Sequence, residues 1–218
     1  MNNPARRIAR VVFALLLIGP PVLSAQESRT IQLLRPDMDG GRPLMQVLKD
    51  RASSRDFDSR KLPLQVLSNM LWAAFGVNRP ESGGRTAPSA SNSQETDIYV
   101  AMSDGVFLYD ARANLLTLVL PDDIRALSGR QAFVKDAPVD LIYVSDLSKM
   151  TRAAPGDMEF YAAAHAGFIS QNVYLFCASE GLATVVRAAI DRPALAKAMR
   201  LRPNQKITLA QTVGYPKK

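Results

Sequence analysis

Two neighbouring stretches limit the fold more than anything else in this chain. Val139 to Val144 is a nearly continuous apolar run, the pattern of a strand buried on both faces. After it, the sequence predicts a long helix from about Met158 to Glu180, ended by Gly181. Ala162, Ala163, Ala164, Ala166 and Gly167 keep the N-terminal half of that helix narrow, so another helix can approach closely.

Around this pair the remaining elements alternate irregularly. Pro43 suits a first helical turn, and Leu44, Val47 and Leu48 recur at helical spacing up to about Arg51. Pro63 opens a second helix, with Leu64, Leu67, Leu71 and Phe75 on one face and Gly76 as its stop. Ile98 to Ala101 reads as a strand. Gly105 to Tyr109 and Leu115 to Leu120 read as a hairpin turning over Asp110 to Asn114. Pro121 is expected to open a short helix, Thr184 to Val186 a short β segment, Pro193 to Leu201 a helix, and Ile207 to Val213 a last strand. Gln26 to Arg42 reads as irregular, and Asn78 to Gln94 as a long Gly/Ser/Pro/Asn loop of the kind that binds something. The class is α+β.

The chain has 218 residues, room for one sizeable domain, and its 47% hydrophobic and 22% charged content is that of a folded protein. At the N-terminus, Arg6, Arg7 and Arg10 precede the apolar run Val11 to Ile18. Gly19-Pro20-Pro21 follows, then the small residues Ser24 and Ala25. That is the order of a secretory signal peptide, and the run is shorter than the ~20 residues that span a bilayer. The expectation is a cleaved leader over 1–25, one domain over 26–218, and a protein exported to the periplasm without stable membrane insertion. Arg6-Arg7 also permits a twin-arginine reading. The leader carries three of the +7 formal charges and no acid, leaving +4. Scattered cations of that number, with no aromatic interleaving, are no nucleic-acid footprint. A single cysteine, Cys177, excludes an internal disulfide and a cysteine zinc site and reads as a small buried hydrophobe. A single histidine, His165, excludes any two-histidine metal site and reads as structural.

Chemistry concentrates elsewhere. Arg51-Ala52-Ser53-Ser54-Arg55-Asp56-Phe57 puts two guanidiniums and two hydroxyls together, the donors that hold a phosphate. If the segment is extended, Arg51, Ser53 and Arg55 share a side, Asp56 faces away and Phe57 packs inward. The alternative is a solvated run paired to Asp50, Asp56 and Asp58. Asn92, in Pro88 to Gln94, offers both a donor and an acceptor, as the imide edge of a flavin requires. The C-terminus ends in Val213-Gly214-Tyr215-Pro216-Lys217-Lys218.

Taken in order, these segments resemble the nitroreductase-like flavoproteins, and within them the branch of SagB-type dehydrogenases. Arg51 to Phe57 is similar to the family's opening R-R-S-x-R-x-F, with Ala52 at the second arginine. Arg85-Thr86-Ala87-Pro88-Ser89-Ala90 resembles the branch's R-T-x-P-S-A. Asn92-Ser93-Gln94 matches N-x-Q, with Glu95 in place of the usual proline. Gln171-Asn172, Glu180-Gly181-Leu182 and Gly214-Tyr215-Pro216 complete the series. The resemblance implies a central, mainly antiparallel sheet flanked by helices, with the long helix at a homodimer interface. It implies FMN held by residues of both subunits. Arg51, Ser53 and Arg55 would hold its phosphate and ribityl chain, Asn92 its ring, and the turn Arg187-Ala188-Ala189 would lie along the ring near N5. Lys217 is the candidate basic residue completing the phosphate site. No side chain is implied as a catalytic acid or base, and no metal is implied. The chemistry would take place on flavin N5, with NAD(P)H or another reductant as donor and a nitroaromatic, quinone or similar small organic acceptor. Two alternatives accompany this: a non-catalytic flavin- or ligand-binding protein of the same fold, and a SagB-like azoline dehydrogenase acting on a modified peptide.

Overall fold

The computed structural model describes residues 29–217, so the leader lies outside the described residues. Its elements are β1 (Thr30–Gln32), α1 (Leu44–Asp50), β2 (Phe57–Asp58), α2 (Leu64–Phe75), β3 (Val77–Arg79), β4 (Gly84–Arg85), β5 (Thr96–Met102), β6 (Gly105–Asp110), β7 (Leu115–Leu120), β8 (Val139–Asp146), α3 (Met158–Glu180), β9 (Ala183–Arg187), α4 (Arg192–Ala198) and β10 (Gln205–Pro216). One sheet runs β1-β7-β6-β5-β8-β10-β2, with β9 also paired to β10, and every pairing is antiparallel. The α+β class and the antiparallel sheet flanked by helices are as expected.

β8 is the centre of the sheet. It lies between β5 and β10, and all eight of its residues are buried. Its side chains alternate between two cores. Val139, Leu141 and Tyr143 pack with α2 and α3, while Ile142 and Val144 pack with α4 on the other face. This is why the run shows no polar alternation: both faces are covered, and each must be apolar. A polar thread ties the layers together. Tyr143 donates to Gln211 Oε1 (2.6 Å), and the Gln211 amide donates to Ser170 O (3.2 Å) of α3 and Thr184 Oγ1 (3.1 Å) of β9. Full satisfaction is what permits a buried glutamine at this place.

α3 ends at Gly181, whose φ of 69° is the left-handed cap that glycine adopts without cost. Its buried stripe runs through Ala162, His165, Ala166, Ile169, Ser170, Val173, Tyr174 and Cys177. The Cys177 thiol is buried, and burial pushes its pKa up. The opposite face is apolar but uncovered: Phe160 is 72% and Phe168 47% exposed, and a side chain at Gly167 would meet nothing within 4 Å.

Three local expectations are corrected. The stretch before Arg42 is not wholly irregular, because Thr30–Gln32 adds an edge strand to β7. Asn78 to Gln94 is not an open loop: β3 and β4 pair within it, and a 3-10 turn follows at Ala90–Asn92. Pro121 opens no helix. The chain bends there and makes only a 3-10 turn at Arg125–Leu127, ahead of which Asp123 accepts from the Arg125 amide and guanidinium. Among the described residues, no helix is long and apolar enough to cross a membrane.

Candidate functional site

Arg51 terminates α1, and residues 51–56 then run without regular structure into β2. Phe57 is buried and packs on Phe133 with ring centroids 5.4 Å apart, which fixes the end of the segment. Upstream of it Ser53, Arg55 and Asp56 are exposed, with Arg51 half-buried. The acids that could have consumed the arginines are committed elsewhere. Asp50 pairs with Arg42, and Asp58 pairs with Arg60 (3.2 Å). Among the described residues no carboxylate is ion-paired to Arg51 or Arg55. Arg51 instead lies 5.3 Å over the ring of Tyr174.

Tyr174 organises this corner, and sequence reading did not single it out. Its hydroxyl accepts from the Val186 amide (2.9 Å) and lies 2.8 Å from Ser53 Oγ. Either hydroxyl of the Ser53–Tyr174 pair can be the donor, so the Ser53 oxygen is held in place against α3. The Ser54 amide donates to Thr184 O (2.9 Å), docking the segment on β9. β10 brings in the C-terminus: Tyr215 and Pro216 pair with Asp58 and Phe57, and the Lys217 amide donates to Asp56 O (3.2 Å). Gly214 is required at this crossing, since a Cβ there would stand 2.7 Å from Pro138. Lys217 therefore sits opposite Asp56, and its charge also acts on Asp58. Arg51, Arg55 and the Ser53 hydroxyl, with no acid ion-paired to either arginine among the described residues, form a donor set that fits a phosphate.

β9 leads from this corner to the Ala188–Ala189 turn, roughly 13 Å beyond Thr184 at strand rise. Ala188 and Ala189 are exposed, and among the described residues their amides donate no hydrogen bond. Arg187 differs from its neighbours. Its side chain is buried, turned into the protein and bonded to Asp140, Thr212 and Ser128, so it offers nothing outward but backbone.

Asn92 belongs to a second, separate construction. Ser91, Asn92 and Gln94 all have positive φ (52°, 54° and 46°), a conformation that costs about 1–3 kcal/mol per non-glycine residue and persists only where neighbours over-determine it. They do so here. Gln94 takes the Ser89 hydroxyl on its amide, donates its side chain to Asn92 Oδ1 (2.9 Å) and Gly83 O (2.9 Å), and accepts from Arg85 (3.0 Å). Behind the loop, Glu95 and His165 are both buried and 2.7 Å apart. His165 Nε2 accepts from the Ala90 amide (2.9 Å), so the ring proton sits on Nδ1 and is donated to Glu95. Ser93 and Thr96 hydroxyls complete Glu95. The single histidine is thus a brace. Asn92 presents its amide donors outward, with its carbonyl already engaged.

These two constructions do not meet within one chain. Ser53 reaches α3 at Tyr174 and the Asn92 loop reaches it at His165. Those positions are nine residues apart, about 13 Å along the axis and half a turn around it. They occupy the two edges of the buried stripe, with the body of α3 between them.

A family model described as "Nitroreductase family" matches residues 48–215. The chain belongs to the nitroreductase family. The match opens in α1 and closes in β10, so both constructions lie within it. A curated protein of Methanocaldococcus jannaschii named "Putative nitroreductase MJ1384" is 35% identical over 167 residues, covering 72% of this chain and 83% of that protein. A crystal structure titled as a putative nitroreductase from Ralstonia eutropha JMP134 is similar with a TM-score of 0.84 and 43% identity, over 87% of this chain and 90% of that one. A nitroreductase from Desulfovibrio desulfuricans, solved in complex with FMN, shares the fold at a TM-score of 0.60 and 22% identity, over 81% of this chain and 88% of that one. Membership of the nitroreductase family makes flavin-dependent oxidoreduction the coarse function of this chain.

Proposed function

We propose that this protein is an FMN-dependent oxidoreductase that works as a homodimer. It would pass hydride or electrons from a reduced nicotinamide, or another donor, to a small organic acceptor such as a nitroaromatic or quinone. One observation carries the reading: Arg51 and Arg55 flank Ser53, and among the described residues neither arginine is ion-paired to a carboxylate. A bound FMN would supply the two-electron chemistry at its N5. The chain's own part is to hold and shape. Arg51, Ser53, Arg55 and Lys217 hold the phosphate, and Ala188 and Ala189 offer amides along the ring. Asn92 donates to a ring carbonyl, and no side chain needs to move a proton.

The separation across α3 supports a homodimer: a second copy docked on the open face at Phe160, Gly167 and Phe168 would let each site take residues from both chains. Absorbance of the purified protein tests the reading: a flavin spectrum bleached by a reductant supports it, and a colourless protein that refuses added FMN overturns it.

The finer placement in the SagB-type branch rests on Arg85-Thr86-Ala87-Pro88-Ser89-Ala90. Arg85 braces Gln94, and the Thr86 hydroxyl donates to Trp72 O (3.2 Å). Oxidation of an azoline-containing peptide would support that branch. Export to the periplasm remains a proposal resting on the leader's order of charged, apolar and small residues. The intact mass of protein recovered from the exported fraction tests it, with cleavage near Ala25 expected.

A further inference from the structure

Arg187 is the last residue of β9, directly before the Ala188–Ala189 turn. Its guanidinium donates to Asp140 Oδ1 (2.7 Å) on β8, to Thr212 Oγ1 (2.8 Å) on β10 and to Ser128 O (2.7 Å). Thr212 donates its own hydroxyl to the same carboxylate oxygen. The segment after Ser128 folds over the guanidinium so tightly that a Cβ at Gly129 would stand 1.8 Å from Arg187 Nη1. That segment then hooks the far side of the turn, where the Arg130 amide donates to Ala189 O (3.0 Å). The turn is therefore gripped before and after by one buried cluster.

The cluster is not saturated. Asp140 Oδ2, Arg187 Nε and Gln131 Oε1 are buried and have no partner among the described residues. Asp140 can take a proton on Oδ2 without giving up a bond. We propose that Asp140 and Arg187 are positioning residues for the Ala188–Ala189 amides, and that the ionisation of Asp140 sets the net charge felt by the flavin beside that turn. The inference rests on the flavin reading above.

The groups facing Asp140 are Arg187 from β9, Thr212 from β10, and Ser128 and Arg125 from the 125–128 turn. Burial pushes the Asp140 carboxyl up to about 7, against the pull of the Arg187 charge. Above neutrality the pair is internally balanced. Below it Asp140 is neutral and the Arg187 cation stands uncompensated, which favours the more negative, reduced flavin.

The test is the midpoint potential of FMN bound to the full-length protein, followed against pH after flavin occupancy is read by absorbance. Wild type is expected to show an inflection near neutrality. Asp140→Asn should lack it and hold the higher, low-pH potential throughout. Thr212→Val removes a donor that favours the carboxylate, so it should move the inflection to higher pH; this variant carries the test if Asp140→Asn does not fold. Profiles of both variants that superimpose on wild type overturn the proposal while leaving FMN binding intact. Absence of FMN from wild type overturns the flavin reading first, and this inference with it.

Discussion

The Arg51 corner and the Asn92 loop meet the same helix from opposite edges, and they are built on opposite principles. The corner gathers residues from α1, β2, α3, β9 and β10, and among the described residues its two arginines are ion-paired to no acid. The loop is local, strained, and satisfied almost entirely by itself and the buried Glu95–His165 brace. The contrast separates affinity from shape. Unspent charge makes the corner a binding element, whereas the over-determined backbone of the loop presents one amide in one direction. The corner should therefore be sensitive in ligand affinity and tolerant in stability, and the loop the reverse.

Arg51→Ala with Arg55→Ala is the strongest way to break that contrast. Each loss of a charged hydrogen bond is worth about 1.5–3 kcal/mol, so FMN affinity should fall on the order of 10²–10⁴-fold while the melting of the apoprotein barely moves. Fluorescence titration and calorimetry read the two quantities, and an equal fall in stability would contradict the separation. Gly167→Leu comes next. The residue fits the single chain, where nothing lies within 4 Å, but it blocks the approach of a second α3. Light scattering should show a folded monomer, and FMN binding should be lost with the dimer.

Glu95→Gln attacks the other side. It should cost about 1–3 kcal/mol of stability by unbalancing the buried brace, with phosphate affinity for a simple anion at the Arg51 corner unchanged. Tyr174→Phe is milder, about 1 kcal/mol, and should weaken FMN several-fold by freeing the Ser53 hydroxyl and orphaning the Val186 amide. A pH effect attaches to the pair behind the turn. Burial raises the Asp140 carboxyl in the folded state to about 7, so its contribution to stability is full below the ordinary carboxylate range and is lost as pH rises towards 7. Urea unfolding across that window should slope downward in wild type and be flatter in Asp140→Asn.

Much of this was legible in one dimension. The long helix spans Met158–Glu180 as its composition predicts, and the hairpin and central strand stand where their patterns put them. Arg51, Ser53 and Arg55 stood out as phosphate donors through residue type alone, and the structure leaves both arginines without an ion-paired acid among the described residues. Where the Arg187 guanidinium points was not legible, because a motif position carries no sign of it; Asp140, hidden in an apolar run, holds it inward. Tyr174 escaped notice because an aromatic on a buried helix stripe looks like core until its hydroxyl is seen to bridge β9 and Ser53.

The sequence by itself determined the helix periodicity, the doubly covered strand, the donor types at Arg51 to Arg55 and the family they resemble. Those depend on side-chain chemistry and on neighbours a few residues away. Only the tertiary structure decided that Lys217 stands opposite Asp56, that Arg187 is buried, and that the Asn92 loop lies across α3 from the Arg51 corner. Each is a long-range placement, set by strand pairing to β10 and by the half-turn between His165 and Tyr174 on α3, and no local pattern encodes it.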